Sequence, residues 1–361
     1  KTRCSVDVER LLVRLMEEGI DGLILDLRNN GGGALEEVRR MTGFFTPRQP
    51  VVQVKNTLAQ IQVKETENRR PIFDGPMVVL TDKSSASASE ILAGALQDMN
   101  RAVIVGESST FGKGTVQQPM DIGRQLPFFA ARNKAGTLKV TIQKFYRPSG
   151  SSTQNKGVVP DILVPSLSDA LEVGEAYLDH ALDHDIIRPA SGFEPFDRAD
   201  LFIPELRERS SVRVRNSRDF GYVIEDVTKA KARLRENRVS LNIAERRKEL
   251  AEADERKHER NEERRKRFGA LQKLDKSNMK FFRLALDDLD TGAKIKQVDP
   301  SAETEDYMRR AKGKTEDLDD TPEWPSRLDP LKREGLMVLA DLVDITRSAR
   351  MAGLLKQPEV R

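Results

Sequence analysis

The sequence predicts an α/β fold in its first half, followed by a mainly helical second half. Short apolar and β-branched runs, such as 22–27 and 77–81, alternate with segments of helical periodicity. This alternation is typical of helices layered on a largely buried sheet. Beyond about Pro165 the chain is rich in charged residues and poor in aromatic ones. We therefore predict two domains, residues 1–165 and residues 166–361.

Each element of the first half follows from a local pattern. Apolar residues at helical spacing ahead of Gly19 predict an opening helix over 6–16. A second helix is expected to begin near Ala34, after three glycines. The prolines within 157–165 suit an edge strand or an exit loop. Strands are predicted at 22–27, 51–54, 61–64, 77–81, 102–105 and 138–145.

The second half is predicted to consist of helices, with a connector ahead of them. Residues 166–204 are expected to form the connector, with one helix in it. The segment 242–267 is dense in charge and predicts a solvated helix. A last helix should start at Asp329-Pro330, since the aspartate can cap it and proline suits its first position. Its apolar stripe must dock on another surface.

Composition narrows the class of protein. A net charge of +3 with interleaved acids does not favour nucleic-acid binding. The single cysteine, Cys4, rules out an internal disulfide and a cysteine-based zinc site. No apolar stretch approaches the roughly 20 residues of a membrane span. Because the chain enters a segment typical of the middle of a fold at Lys1, we expect an N-terminal part to precede it.

A serine run and a glycine-flanked lysine carry the clearest chemical meaning. The run 84–91 alternates serine with alanine after a predicted strand, and Lys113 lies between two glycines. Small residues let a substrate backbone approach a hydroxyl closely. A neutral lysine can take the proton of a serine, and the three histidines all lie outside the first half. The pair is therefore interpreted as a serine nucleophile with a lysine base.

Acyl transfer also needs hydrogen-bond donors for the developing oxyanion. Gly31 and Gly32, in the triglycine run after a predicted strand, can present backbone N–H groups without side chains in the way. The amide of Ala88, directly after Ser87, is the second expected donor.

Each motif also has a plainer structural interpretation. Ser87 with Glu90 fits a capping box, so Ser87 can be a helix cap. The lysine segment alone fits a surface turn, and the glycine run alone fits a flexible connection or a phosphate cradle. A phosphate loop is excluded by its spacing, because five residues separate Gly106 from Gly112 where that motif has four. The sequence also lacks a G-x-S-x-G elbow.

Four segments resemble, in order, the signatures of the carboxy-terminal processing, or tail-specific, proteases: 25–33, 85–91, 111–117 and 156–162. The resemblance is closest to the long bacterial periplasmic branch and covers nearly the whole chain. It implies a layered α/β protease core of the ClpP/crotonase-like type, followed by a mainly helical C-terminal domain. It also implies a periplasmic location and a PDZ-type module in the part that would precede Lys1.

The resemblance assigns roles position by position. Ser87 matches the nucleophile, Lys113 matches the general base, and Gln117 matches the glutamine that orients this lysine. Glu90 and Thr110 are taken as supporting residues.

Asp98 matches an acid associated with activity in this branch. Eleven residues of unbroken helix span about 16 Å, so Asp98 cannot touch Ser87 and is assigned a structural role at the far end of the helix. The stretch 106–110 is one residue longer than the family norm, which leaves open the loop geometry before Lys113.

The leading hypothesis is a serine endopeptidase that recognises proteins through their C-terminal tails. Two alternatives are a non-catalytic peptide-binding or scaffold protein, which should lose Ser87 or Lys113, and an acyl-CoA enzyme, which does not need both. The expected partners are protein or peptide substrates, with no nucleic acid and no cofactor. Membrane-associated substrates, an adaptor protein and oligomerisation are left open.

Other groups of residues give weaker indications of function. His180 and His184 have the i,i+4 spacing of metal ligands, but no third ligand is defined and no metal is expected. The basic run 264–267 follows many acids and is interpreted as part of a solvated helix. Trp324 is interpreted as a packing anchor.

Overall fold

The computed structural model describes residues 3–125, 134–292, 294–298 and 329–355. It divides into two compact units, residues 1–230 with 331–361 and residues 231–330. The proposed boundary at residue 165 falls inside the first unit and stays a prediction. Trp324 lies outside the described residues.

The elements follow one another in mixed α/β order. The strands are β1 (Leu23–Asp26), β2 (Pro50–Asn56), β3 (Ile61–Glu65), β4 (Met77–Thr81), β5 (Val103–Gly106), β6 (Thr115–Asp121), β7 (Thr137–Tyr146), β8 (Ile162–Leu163), β9 (Phe281–Arg283) and β10 (Lys296–Val298). The helices are α1 (Cys4–Glu17), α2 (Leu35–Thr42), α3 (Ala88–Asp98), α4 (Ile122–Gln125), α5 (Ile203–Asn216), α6 (Arg218–Glu236), α7 (Ile243–Asn278), α8 (Leu286–Asp290) and α9 (Pro330–Met351). The predicted α/β class with a helical C-terminal region is confirmed.

A parallel four-stranded sheet forms the centre of the first unit, in the order β1-β4-β5-β8. On one face Val79 and Ile104 belong to a core cluster with residues of α1, α2 and α3. On the other face Leu80 packs in a cluster with Leu206 of α5 and Leu342 of α9. Because both faces are covered, the strands are apolar at successive positions rather than at alternate ones.

A second, antiparallel sheet has the order β3-β2-β7-β6. The sequence predicted layering around one sheet, and this second sheet corrects it. β6 was not predicted because most of its side chains are polar and Pro119 interrupts it. Both features fit an edge strand, where one side of the backbone needs no partner.

Helical predictions for the second half hold with different bounds. α9 begins at Pro330 as expected, and its apolar stripe packs on the parallel sheet. α7 continues to Asn278, beyond the predicted end at 267. The connector contains three short 3₁₀ turns, Leu167–Ala170, Glu175–Tyr177 and Arg198–Leu201, instead of one helix.

Among the described helices, none combines the length and the apolar character needed to cross a membrane.

Candidate active site

Three neighbouring parallel strands each deliver one loop of the site. β1 pairs with β4, and β4 pairs with β5, so their carboxyl ends lie at the same edge of the sheet. β1 leads into the glycine loop (28–33), β4 into the serine loop (82–87) and β5 into the lysine loop (107–114). The carboxyl edge of a parallel sheet is where α/β proteins usually bind ligands. The topology thus brings together three motifs that are distant in sequence.

Ser87 has a strained backbone at the mouth of α3. Its φ of 57° and ψ of −113° lie outside the usual regions for an L-residue. The Ser87 carbonyl accepts the first helical bond from Ile91 N–H at 3.0 Å, and the Ser87 N–H donates to Glu90 Oε2 at 2.8 Å. The capping interaction expected from Glu90 is therefore present. Strain of about 1–3 kcal/mol at one residue typically marks a functional position.

The glycine loop lies directly against this serine turn. Ala86 N–H donates to Asn30 O at 3.0 Å. Gly32 has a φ of +97°, and a Cβ there would lie 2.6 Å from Ala86 O and 2.7 Å from Ala88 N. Only glycine allows this approach. Gly31 is placed differently, because a Cβ on it would meet nothing within 4 Å.

The N–H of Gly32 donates to Asn30 Oδ1 at 3.0 Å within its own loop. Gly32 and Ala88 therefore lie close together, while the Gly32 amide is engaged by Asn30. An oxyanion role for Gly32 requires that the Asn30 side chain release the Gly32 N–H.

Asp82 and Ser85 hold the glycine and serine loops together, and sequence reasoning missed both. Asp82 Oδ2 accepts the Asn29 N–H at 2.9 Å, and Asp82 Oδ1 accepts the Ser84 N–H at 3.0 Å. The Ser85 hydroxyl donates to Leu27 O at 2.8 Å. An aspartate followed three residues later by serine, just after a strand, is a turn pattern that could have pointed to them.

Lys113 lies on the loop that follows β5. Its Nζ donates to Gln117 Oε1 at 3.4 Å, a contact consistent with the orienting part assigned to Gln117. Its carbonyl accepts the Thr153 hydroxyl at 2.9 Å. Phe111 N–H donates to Ser85 O at 3.0 Å, so the longer stretch before Lys113 still joins the lysine loop to the serine loop.

The buried carboxyl of Glu90 joins both loops. Oε2 accepts the backbone N–H of Ser87 at 2.8 Å and that of Lys113 at 2.9 Å. Oε1 accepts the Thr110 hydroxyl and the Gly112 N–H, both at 2.6 Å. Burial raises the pKa of Glu90 to about 7, although these four donors act in the opposite direction. Glu90 was predicted as a supporting residue, and its contacts reach the backbone of both the serine and the lysine.

Asp98 ends α3, at the opposite end from Ser87. Its carboxylate pairs with Arg147 and accepts the Ser149 N–H at 3.1 Å. Both pairing side chains are largely buried, at 11% exposure for the aspartate and 14% for the arginine. Asp98 therefore anchors the start of segment 147–155, whose Thr153 bonds the Lys113 backbone.

The remaining candidates are separate from this site. In the described parts of the chain, no three His, Cys, Asp or Glu side chains are grouped as a metal site would need. Burial, followed by the charge of Lys156, lowers the pKa of His184. In the basic run of α7, Arg267 pairs with Glu263 one turn earlier at 2.9 Å.

Two family models match consecutive parts of the chain. Residues 3–164 match Peptidase family S41, and residues 168–344 match the C-terminal domain of tail-specific protease.

Two curated relatives are similar over long stretches. The tail-specific protease of Haemophilus influenzae is 40% identical over 275 residues, which cover 74% of this chain and 39% of that protein. The carboxyl-terminal-processing protease of Synechocystis sp. is 40% identical over 158 residues, which cover 44% of this chain and 34% of that protein.

Among solved structures, the photosystem II D1 C-terminal processing protease matches with 30% identity and a TM-score of 0.40, covering 45% of this chain and 40% of that one. The chain thus spans less than half the length of each of these relatives. The two consecutive family matches and the two curated relatives show that the chain belongs to the tail-specific, carboxyl-terminal-processing proteases of peptidase family S41.

Proposed function

We propose that this chain carries the catalytic centre of a serine endopeptidase that cleaves proteins recognised through their C-terminal tails. The observation that carries the proposal is the carboxylate of Glu90, which accepts the backbone N–H groups of both Ser87 and Lys113. A serine on a strained turn and a lysine on the adjacent loop are thereby held in one site. The family membership supports the peptidase class of the reaction.

In the first half-reaction, Ser87 Oγ forms a bond to the scissile carbonyl carbon and passes its proton to the neutral amine of Lys113. The carbonyl oxygen becomes an oxyanion, which the amides of Gly32 and Ala88 stabilise once Asn30 releases Gly32. The C–N bond then breaks, and the ammonium of Lys113 gives its proton to the leaving amine.

In the second half-reaction, water attacks the acyl ester on Ser87. Lys113 takes a proton from this water and returns one to Ser87 Oγ as the ester bond breaks. The product leaves as a carboxylic acid that loses its proton to solvent, and the serine and the lysine regain their starting states. Gln117 is proposed to keep the Lys113 amine directed at the serine during both steps.

A fluorophosphonate probe tests the nucleophile without any need for peptide capture. Ser87 Oγ would form a P–O bond, fluoride would leave with the P–F electrons, and Lys113 would take the hydroxyl proton. We expect one phosphonyl group per chain, mapped by mass spectrometry to Ser87. Ser84→Ala, a change at an exposed serine of the same loop, is the matched control and should label normally.

Labelling that is absent from the wild type, or that persists in Ser87→Ala, would contradict the proposal. The first result would favour the non-catalytic binding or scaffold protein on the same fold.

Tail recognition is tested on the full-length protein with paired peptides that have a free or an amidated C-terminus. Faster cleavage of the free acid supports the proposal, and equal rates count against it. We also propose a periplasmic location, which cell fractionation tests.

A further inference from the structure

The carboxyl of Glu90 is saturated with hydrogen-bond donors in the interior of the protein. Glu90 has 0% exposure. Its four donors belong to the serine turn and the lysine loop, and each carboxyl oxygen receives two of them. Three of these donors are backbone N–H groups, from Ser87, Gly112 and Lys113. A backbone N–H can only donate, so these three require acceptors.

This geometry discriminates between the two protonation states of Glu90. An ionised carboxylate accepts at both oxygens and satisfies all four donors. A protonated carboxyl must direct its own O–H at a partner, and Thr110 is the one bonded group that can accept it. The Thr110 hydroxyl already accepts the Val158 N–H at 2.7 Å. To accept the Glu90 proton as well, the Thr110 hydroxyl must turn its own O–H away from Glu90, so protonation changes the hydrogen bonds where Glu90 meets the lysine loop.

Burial opposes the ionised form that the hydrogen bonds require. It raises the pKa of Glu90 to about 7, so protonation falls in the neutral range. The other titratable groups on the surrounding segments include Asp82, Glu107, Lys113, Lys156 and Glu175. Asp82 accepts the Asn29 N–H, Glu107 accepts the Lys83 N–H, Lys113 bonds Gln117 and Glu175 accepts from Gln154. Asp98 pairs with Arg147 at the far end of α3.

We propose that ionised Glu90 is a positioning residue that holds Ser87 and Lys113 in their reactive arrangement, and that its protonation loosens this arrangement. The inference rests on the proposed roles of Ser87 and Lys113 as nucleophile and base. Glu90 does not touch the substrate in this scheme. It acts through the two backbone amides, so acidification would slow the reaction by displacing the serine turn from the lysine loop.

Amide hydrogen exchange tests this separately from activity. In Lys113→Ala, which lacks the lysine side chain, exchange at residues 87 and 112 is followed from about pH 6 to about pH 8 and corrected for intrinsic rates. We expect protection to fall on the acid side of the Glu90 titration. Protection that stays constant over this range overturns the proposal, and this measurement needs no substitution at Glu90.

Probe labelling provides the second test. Glutamine at position 90 has one acceptor oxygen, and its NH₂ would face two donors. We expect Glu90→Gln to label at least about tenfold more slowly at pH 8, since one or more buried donors lose their acceptor. Glu334→Gln, a matched change at a buried glutamate of α9 that pairs with Arg213, should label at the wild-type rate.

The outcomes separate this inference from the proposed function. A wild-type chain that does not label at Ser87 refutes the proposed function, whereas the exchange experiment still reports on Glu90. A wild-type chain that labels at Ser87, together with a folded Glu90→Gln chain that labels at the same rate and with the same pH profile, refutes the inference alone.

Discussion

Replacing Gly32 by alanine tests whether the glycine loop forms part of the reacting pocket. Gly32 has a φ of +97°, and an added Cβ would lie 2.6 Å from Ala86 O, 2.7 Å from Ala88 N and 2.9 Å from Ser87 Cβ. Two of these atoms belong to the backbone, so no rotamer change can relieve the overlap. The glycine and serine loops would have to move apart, which would separate the Gly32 and Ala88 amides.

The expected effect is larger on the rate than on stability. Loss of one oxyanion donor typically costs about 10²–10³ in kcat, or about 2.7–4 kcal/mol. We therefore expect Gly32→Ala to label with the fluorophosphonate at least about 100-fold more slowly. The strain of an L-residue at this φ should lower the free energy of unfolding by about 1–3 kcal/mol.

Gly33→Ala is the matched control within the same loop. A Cβ there meets nothing within 4 Å, and its φ is not positive, so the change should alter stability by no more than about 0.5 kcal/mol. Labelling rates and urea unfolding of both variants are measured together. A Gly32→Ala chain that reacts at the wild-type rate would refute the pocket argument, and equal slowing by Gly33→Ala would attribute the effect to loop rigidity.

Three further predictions concern the dyad, the far end of α3 and pH. Ser87→Ala and Lys113→Ala should each abolish labelling and peptide cleavage without loss of fold. A double variant should be no slower than either single variant, because the two residues act as one unit. Near-normal turnover in Lys113→Ala would contradict this prediction. Asp98→Asn should lower the free energy of unfolding by about 3 kcal/mol, because Arg147 loses its charge partner in a largely buried site. A loss below about 1 kcal/mol, measured by urea unfolding, would count against this prediction. The free energy of unfolding should fall by about 3 kcal/mol as pH rises from 4.5, the ordinary glutamate pKa, to about 7, the pKa of Glu90. A folded Glu90→Gln chain should lack this component in a pH series of urea unfolding.

Much of the first unit could be predicted because its signals are local. The strand at Met77–Thr81 was predicted with the bounds that the structure gives it. Its five residues are apolar or β-branched and wholly buried, so composition alone identifies it. The start of α9 was equally predictable, since Asp329-Pro330 is a local signal for the beginning of a helix.

The site could be predicted only in its residues, not in its connections. The serine, glycine and lysine motifs were each visible, but their meeting at one sheet edge depends on the pairing of β1, β4 and β5. Glu90 was recognised as a cap through its i,i+3 relation to Ser87. Its bonds to Gly112 and Lys113 span 22 and 23 residues, and no local pattern encodes them.

The strained turn at Ser87 was not predicted for a related reason. The elbow motif that usually signals such a serine requires flanking glycines, whereas here alanines flank Ser87. The neighbouring glycine that this turn needs is Gly32, which comes from another loop. A glycine supplied across the sheet edge takes the place of glycines within the turn.

Stability and reactivity should respond to pH in opposite directions at this site. A carboxyl whose pKa is raised from 4.5 to about 7 binds its proton more tightly in the folded chain than in the unfolded one. Its contribution to stability is fully present below the unfolded pKa and is lost as pH rises through the folded value. The hydrogen bonds to Ser87 and Lys113, by contrast, need the ionised form. A fall in stability between pH 4.5 and about pH 7, together with a gain in labelling as pH rises through about 7, would therefore identify the buried carboxyl of Glu90 as the titrating group.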